Sequence, residues 1–204
     1  MSQPLPSASA TAFKEWSSVR DALRSGRQSI ILRKGGIDEG SRGFTQRSLA
    51  FWIWPTRLHE SEQGTLESPA GTHRLAPDTS IHIDTFTTVD AVARLESIEE
   101  VELLAQEHIW TLETLRARFA YRRPGLLMMV VRAYVRPSAI PIEATPEQAG
   151  CKSWVELETA IETAGIEPVL DEFRHLEVVR RIASSLPAGR LSTPAGLSSP
   201  TEEG

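Results

Sequence analysis

Three observations predict a small, mostly antiparallel α+β fold: a barrel or strongly curled sheet with flanking helices and an amphipathic C-terminal helix. Strand-like runs outnumber the helices able to cross between them, which argues against a doubly wound parallel sheet. The longest apolar run, Leu126 to Val131, has the length of a strand. One clear amphipathic pattern stands late in the chain, over residues 170–186. At 204 residues, with 40% hydrophobic and 24% charged side chains, the chain suits one globular domain. That domain is set at 11–186, between a disordered N-terminus at 1–10, rich in Ser, Ala and Pro, and a disordered tail at 187–204, rich in Ser, Pro, Gly and Glu.

The elements follow in order. Phe13, Trp16, Val19, Ala22 and Leu23 recur at helical spacing, so residues 11–25 read as a helix closed by Gly26. Residues 28–33 form a short strand, broken by Gly35 and Gly36 and followed by a polar loop. Residues 49–54 are a strongly apolar strand stopped by Pro55, and 60–78 are loop. The β-branched stretch 80–92 is one long or broken strand. An acidic helix or turn covers 98–105. Thr111 to Thr114 is shaped like an N-terminal cap for a helix ending near Ala120. Residues 126–136 are the best strand in the chain, and the remainder is irregular up to Val155. In the last helix Leu170, Phe173, Leu176, Val179, Ile182 and Leu186 are expected to face inward.

Charge is segregated along the chain. Residues 14–57 carry nine basic and four acidic side chains, while 58–115 carry two and twelve. Residues 116–136 then hold six arginines and no acid, and 137–204 hold five basic and eleven acidic groups. Two basic segments that met in the fold would make a positive face on a protein of net charge -5. The bland alternative pairs each arginine with an acid from a neighbouring segment. No run reaches the ~20 apolar residues of a membrane span, and the N-terminus lacks a secretory pattern, so the expected location is cytoplasmic.

Most catalytic patterns are missing. Arg33-Lys34-Gly35-Gly36 lacks the frame of a phosphate loop, and no Gly-x-Ser-x-Gly elbow occurs. The five histidines and the lone Cys151 have no metal-ligand spacing. What survives is a combination of aromatic and basic residues. Trp52 and Trp54 share one strand face, Arg57 and His59 follow, and Lys152 with Trp154 repeats the pairing. Indoles stack on bases and cations neutralise phosphate, as in sequence-tolerant single-strand binders. The competing reading places Trp52 and Trp54 in the core.

Several stretches resemble the bacterial DUF1802 family, a domain of unknown function. They are Phe13-Lys14-Glu15-Trp16, Leu32-Arg33-Lys34-Gly35-Gly36-Ile37, and Phe51 through Pro55-Thr56 with His59. Further along come Glu107-His108-Ile109-Trp110, Arg118-Phe119 and Gly150 through Leu157. The likeness covers residues 12–157, with Glu60 where the family has glutamine, and it brings no mechanism with it. A fainter resemblance, to PUA-like folds including the ASCH and EVE domains, lies in three places. These are Leu23-Arg24-Ser25-Gly26-Arg27 leading to Leu32-Arg33, then His108 with Thr111 to Leu115, then the strand 126–136. It implies a small barrel that binds RNA or a modified base in a cleft.

The reading that results is a non-catalytic nucleic-acid or nucleotide-binding domain whose partner is RNA, single-stranded DNA or a nucleotide. The ligand-binding residues are expected to be Lys14, Arg33, Lys34, Trp54, Arg57, His59, Lys152 and Trp154. No catalytic residue, metal ligand or cofactor is assigned. Two alternatives belong to other classes. One is a nuclease-like or other hydrolase whose acids and bases (Glu15, His59, Asp84, His108) converge only in space. The other is an interaction module that takes a protein partner on the 170–186 helix.

Overall fold

The computed structural model describes residues 5–34, 48–57, 64–66, 80–150 and 152–194. Its strands are β1 (Ala8–Trp16), β2 (Ile30–Arg33), β3 (Ala50–Thr56), β4 (Ser80–Leu95), β5 (Leu126–Glu143), β6 (Trp154–Glu162) and β7 (Glu167–Pro168). Its helices are α1 (Ser17–Arg24), α2 (Ile98–Glu102), α3 (Leu112–Ala120), α4 (Pro146–Ala149) and α5 (Glu172–Ser185). The strands form one α+β sheet in the order β2-β5-β4-β3-β1-β6, with β7 beside β5. Every pairing among the described strands is antiparallel except β1 with β3. The sheet is curled and not closed into a barrel, because β2 and β6 end the order without pairing to each other.

The N-terminal part differs from the sequence expectation. Residues 8–10 are not disordered, and the segment up to Trp16 is a strand, so the helix begins only at Ser17. The cause is tertiary. β1 runs parallel to β3 from Ala12↔Trp52 to Trp16↔Thr56, and antiparallel to β6 at Phe13↔Trp154. Pairing on both edges outweighs a weak helical period. The long strands were easier to read. β4 and β5 pair from Ser80↔Glu143 to Leu95↔Leu126, with irregularities at 83/85 and 89/91 that bend the ladder. β5 runs on to Glu143 and β6 follows, in a region expected to be irregular.

Both faces of the sheet are covered. Phe51 and Ile53 join Phe13, Leu23, Val130 and Leu115 in the larger core. Trp52 and Trp54, on the opposite face of β3, join Ala12, Phe86, Tyr134 and Leu157 in the smaller one. The two tryptophans do share a face, and it is a core face. No helix among the described residues is long and apolar enough to cross a membrane.

Residues 107–110 are buried and held by side chains. Gln28 Oε1 accepts from the Ile109 N–H at 3.1 Å, and its Nε2 donates to the Ile30 carbonyl at 2.7 Å. His108 Nδ1 accepts from the Trp110 N–H at 3.2 Å. Burial disfavours the imidazolium and lowers the His108 pKa to about 4, against the partial opposition of its hydrogen bond and Glu107.

α5 lies over this region through charged contacts. Arg181 forks onto Glu107 at 2.6 and 2.9 Å, His175 Nε2 lies 2.5 Å from Asp90 Oδ2, and Glu172 pairs with Arg132. The buried face is therefore His175 and Ile182, while Phe173 is 67% exposed and Leu176 is also exposed. The expected inward stripe is rotated, with His175 turned in to Asp90. The tail also departs from expectation as far as it is described. Ser192 and Val92 exchange two backbone hydrogen bonds of 2.9 Å, and Arg190 pairs with Glu96 at 2.9 Å and Glu100 at 2.6 Å.

Ending the chain at Leu186 is expected to cost about 2 kcal/mol of stability through the loss of two backbone hydrogen bonds. A lowered urea midpoint is the readout, and an unchanged midpoint contradicts a docked tail. His108 makes a second prediction. Its folded pKa of about 4 lies below the ordinary 6.5, so the unfolded chain takes up the proton first. The contribution is fully present above pH 6.5 and is lost as pH falls toward 4, by on the order of 3 kcal/mol. His108→Gln should shrink the pH 7 to pH 4 loss of stability by that order. An equal loss in both proteins would contradict it.

Candidate nucleic-acid interface

The end strands β2 and β6 come together through side chains. Arg33, the last residue of β2, donates to Glu15 Oε1 at 3.2 Å and to Ser153 Oγ at 2.8 Å. Its guanidinium also lies 4.7 Å from the centre of the Phe13 ring. Glu15 is 2% exposed, and burial raises its pKa against the pull of Arg33 and Arg118. Arg118 projects from α3 over two indoles, 4.2 Å from the centres of both Trp16 and Trp110. Burial lowers its pKa to about 9, with Glu15 acting upward and Arg33 downward, so it remains a cation at neutral pH.

Lys34, the next residue, reaches the far end of α3. Its ammonium donates to the carbonyls of Phe119 and Gly125, each at 2.8 Å, and to that of Arg123. Three N–H groups thus meet three carbonyls, where a cation also complements the helix C-terminus. Burial, and then the charge of Arg94, lower the Lys34 pKa. Around this point Arg94, Tyr121, Arg122 and Arg123 are exposed. The two basic segments of the sequence therefore do meet, at the turn that follows α3.

Many other cations are committed to acids, as the bland alternative expects. Arg20 and Arg24 hold Asp84, Arg116 holds Glu102, and Arg132 holds Glu172. Among the described residues, Arg94, Arg122 and Arg123 have no carboxylate partner. These three stand together around the α3 turn.

Of the residues expected to bind ligand, Lys14, Lys152 and Trp154 line one open cavity of about 750 Å³ between β1, β6 and α4. Lys14 donates to the Gly150 carbonyl, and Lys152 pairs with Glu147 at 3.0 Å. Glu147, Glu156 and Glu158 line the same cavity, so its charge is mixed. Trp154 is buried against Phe13 and Phe51, with ring centres 4.7 and 5.1 Å away. Arg33 and Lys34 lie in the arginine cluster and at the α3 turn, Trp54 lies in the smaller core, and Arg57 is exposed just beyond β3. His59 falls outside the described residues.

Among the described residues, the candidate acids and bases Glu15, Asp84 and His108 make no contact with one another. Glu15 is held by Arg33, and Asp84 by Arg20 and Arg24 with Thr85 Oγ1 at 2.8 Å. His108 turns to its own loop. No group of three or more potential metal ligands occurs among the described residues. Sequence reasoning left Arg94, Tyr121, Arg122 and Arg123 out of the candidate site. The acid-free run 116–136 was the available signal for the last three.

Three crystal structures are similar to this chain at low identity. The chain is similar to a point variant of ASCH from Zymomonas mobilis, with 14% identity, a TM-score of 0.42, and coverage of 86% of this chain and 98% of that one. For the ASCH protein of Zymomonas mobilis itself the figures are 15%, 0.42, 83% and 94%. No curated protein matches the chain. The family model for DUF1802, a domain of unknown function, matches residues 12–181. That span holds the Arg33–Glu15 tie, the Arg118 platform and the α3 turn, and the chain belongs to the DUF1802 family.

Proposed function

We propose that this chain is a non-catalytic cytoplasmic domain that binds RNA, single-stranded DNA or a nucleotide at the turn following α3. One observation carries the reading: three exposed arginines, Arg94 on β4 and Arg122 and Arg123 after α3, gather around one turn of a protein whose net charge is -5. A local positive face on an acidic molecule selects polyanions by charge while the rest of the surface repels them. Lys34 rigidifies the turn, and Arg94, Arg122 and Arg123 present the charge. The exposed phenol of Tyr121 adds a stacking surface of the kind single-strand binders use.

The test is a fluorescence-anisotropy titration of single-stranded RNA and DNA, and of nucleoside triphosphates, at ~50 mM salt and upward. The two phosphate contacts of Arg94 and Arg123 are expected to give a slope of log K against log salt of roughly -1.4 for a single strand. Changing Arg94→Glu and Arg123→Glu together should weaken binding at least tenfold while the circular dichroism spectrum is retained. Absence of binding by every one of these ligands at ~50 mM salt removes the reading.

A further inference from the structure

We propose that the turn after α3 takes an unpaired nucleobase, stacked on Tyr121 and Arg122, with the adjoining phosphate held by Arg123 and Arg94. This rests on the reading above and names the ligand class of that face. The starting observation is conformational. Arg122 has φ of 60°, and among the described residues it is the one non-glycine residue with positive φ. An arginine gains nothing intrinsic from the left-handed region, where its Cβ crowds the backbone. Held strain of this kind collects at ligand sites.

Three features hold Arg122 there. The Arg123 N–H donates to the Tyr121 carbonyl at 2.8 Å. The Lys34 ammonium gathers the carbonyls of Phe119, Arg123 and Gly125 on the inner side of the turn. Gly125, with φ of 120°, brings the chain close to β4, where a Cβ would stand 3.3 Å from the Leu95 carbonyl oxygen. With these carbonyls drawn inward, the side chains of the turn face solvent. Tyr121 is 51% exposed, and the Arg122 guanidinium lies 5.1 Å from its ring centre.

A phenol and a planar cation on a pre-shaped turn offer flat faces to a base. In a duplex those base faces are covered by their neighbours and only phosphates remain to be bound. A pure phosphate site would need the arginines and would have no use for the exposed aromatic ring. The pair therefore favours an unstacked base over a helix.

The experiment compares three probes on the full chain: a single-stranded RNA of about 12 nucleotides, the duplex of the same sequence, and inorganic polyphosphate. Two variants, Tyr121→Leu and Arg122→Lys, keep the apolar bulk and the charge but remove the stacking faces. The wild type should prefer the single strand to the duplex. Each variant should weaken single-strand binding about tenfold and leave polyphosphate binding unchanged. If single-strand and polyphosphate affinities fall together, or neither changes, the unpaired-base inference is overturned while phosphate binding at this face stands. If the wild type binds none of the three probes, the unpaired-base inference fails, and the underlying reading fails with it when single-stranded DNA and nucleoside triphosphates also do not bind.

Discussion

The guanidinium of Arg33 joins what the backbone leaves apart. β2 and β6 end the strand order without hydrogen-bonding to each other, and Arg33 spans the opening to Glu15 of β1 and to Ser153 at the start of β6. A curled sheet closed by backbone pairing would be a barrel with no slot at its seam. Here the Arg33 guanidinium makes the link, with the Phe13 ring 4.7 Å from it and Glu15 hydrogen-bonded to it. Burial raises the Glu15 pKa, and Arg33, Arg118 and the Trp16 N–H offset part of the lost hydration of its carboxylate. The same tie fixes the end of β2, so Lys34, one residue on, arrives at the carbonyls that terminate α3.

This arrangement divides the arginines by work. Those with acids from distant segments hold elements together: Arg20 and Arg24 bind α1 to Asp84 of β4, and Arg181 binds α5 to Glu107. Exposed pairs such as Arg116 with Glu102 add little, since solvent screens them. Arg118 is intermediate, half-buried on two indoles and sensing Glu15 and Arg33 electrostatically. Arg94, Arg122 and Arg123 face water around a turn whose shape Lys34 sets. Binding and folding thus meet at the Arg33-Lys34 dipeptide, with one side chain sealing the sheet and the next shaping the face.

How much of this was legible in the sequence follows from the range of the forces involved. β3, β4 and most of β5 announce themselves through apolar or β-branched runs, and Thr111 caps α3 by accepting from the Thr114 N–H. The segregation of charge was also readable, but it did not point to Arg94, which lies in the acidic segment 58–115. β1 was not readable, because Ala8–Trp16 becomes a strand through pairing with β3 and β6, whose registers no local pattern encodes. The orientation of α5 was missed for the same reason: His175 turns inward to reach Asp90, 85 residues away, and carries Phe173 out to solvent. Trp54 is a core residue because the second face of the sheet is covered by β6 and the end of β5, both hidden in a stretch without clear period.

The central claim, that Arg33 and Glu15 act as one unit sealing the sheet, is tested most directly by a double-mutant cycle. Arg33→Met, Glu15→Gln and the double variant would be unfolded in urea beside the wild type. Removing Arg33 alone should cost about 3–5 kcal/mol, because it strands a buried carboxylate. The double variant should be more stable than the sum of the single losses implies, by at least about 1.5 kcal/mol. Additive losses, with a coupling near zero, would contradict the account.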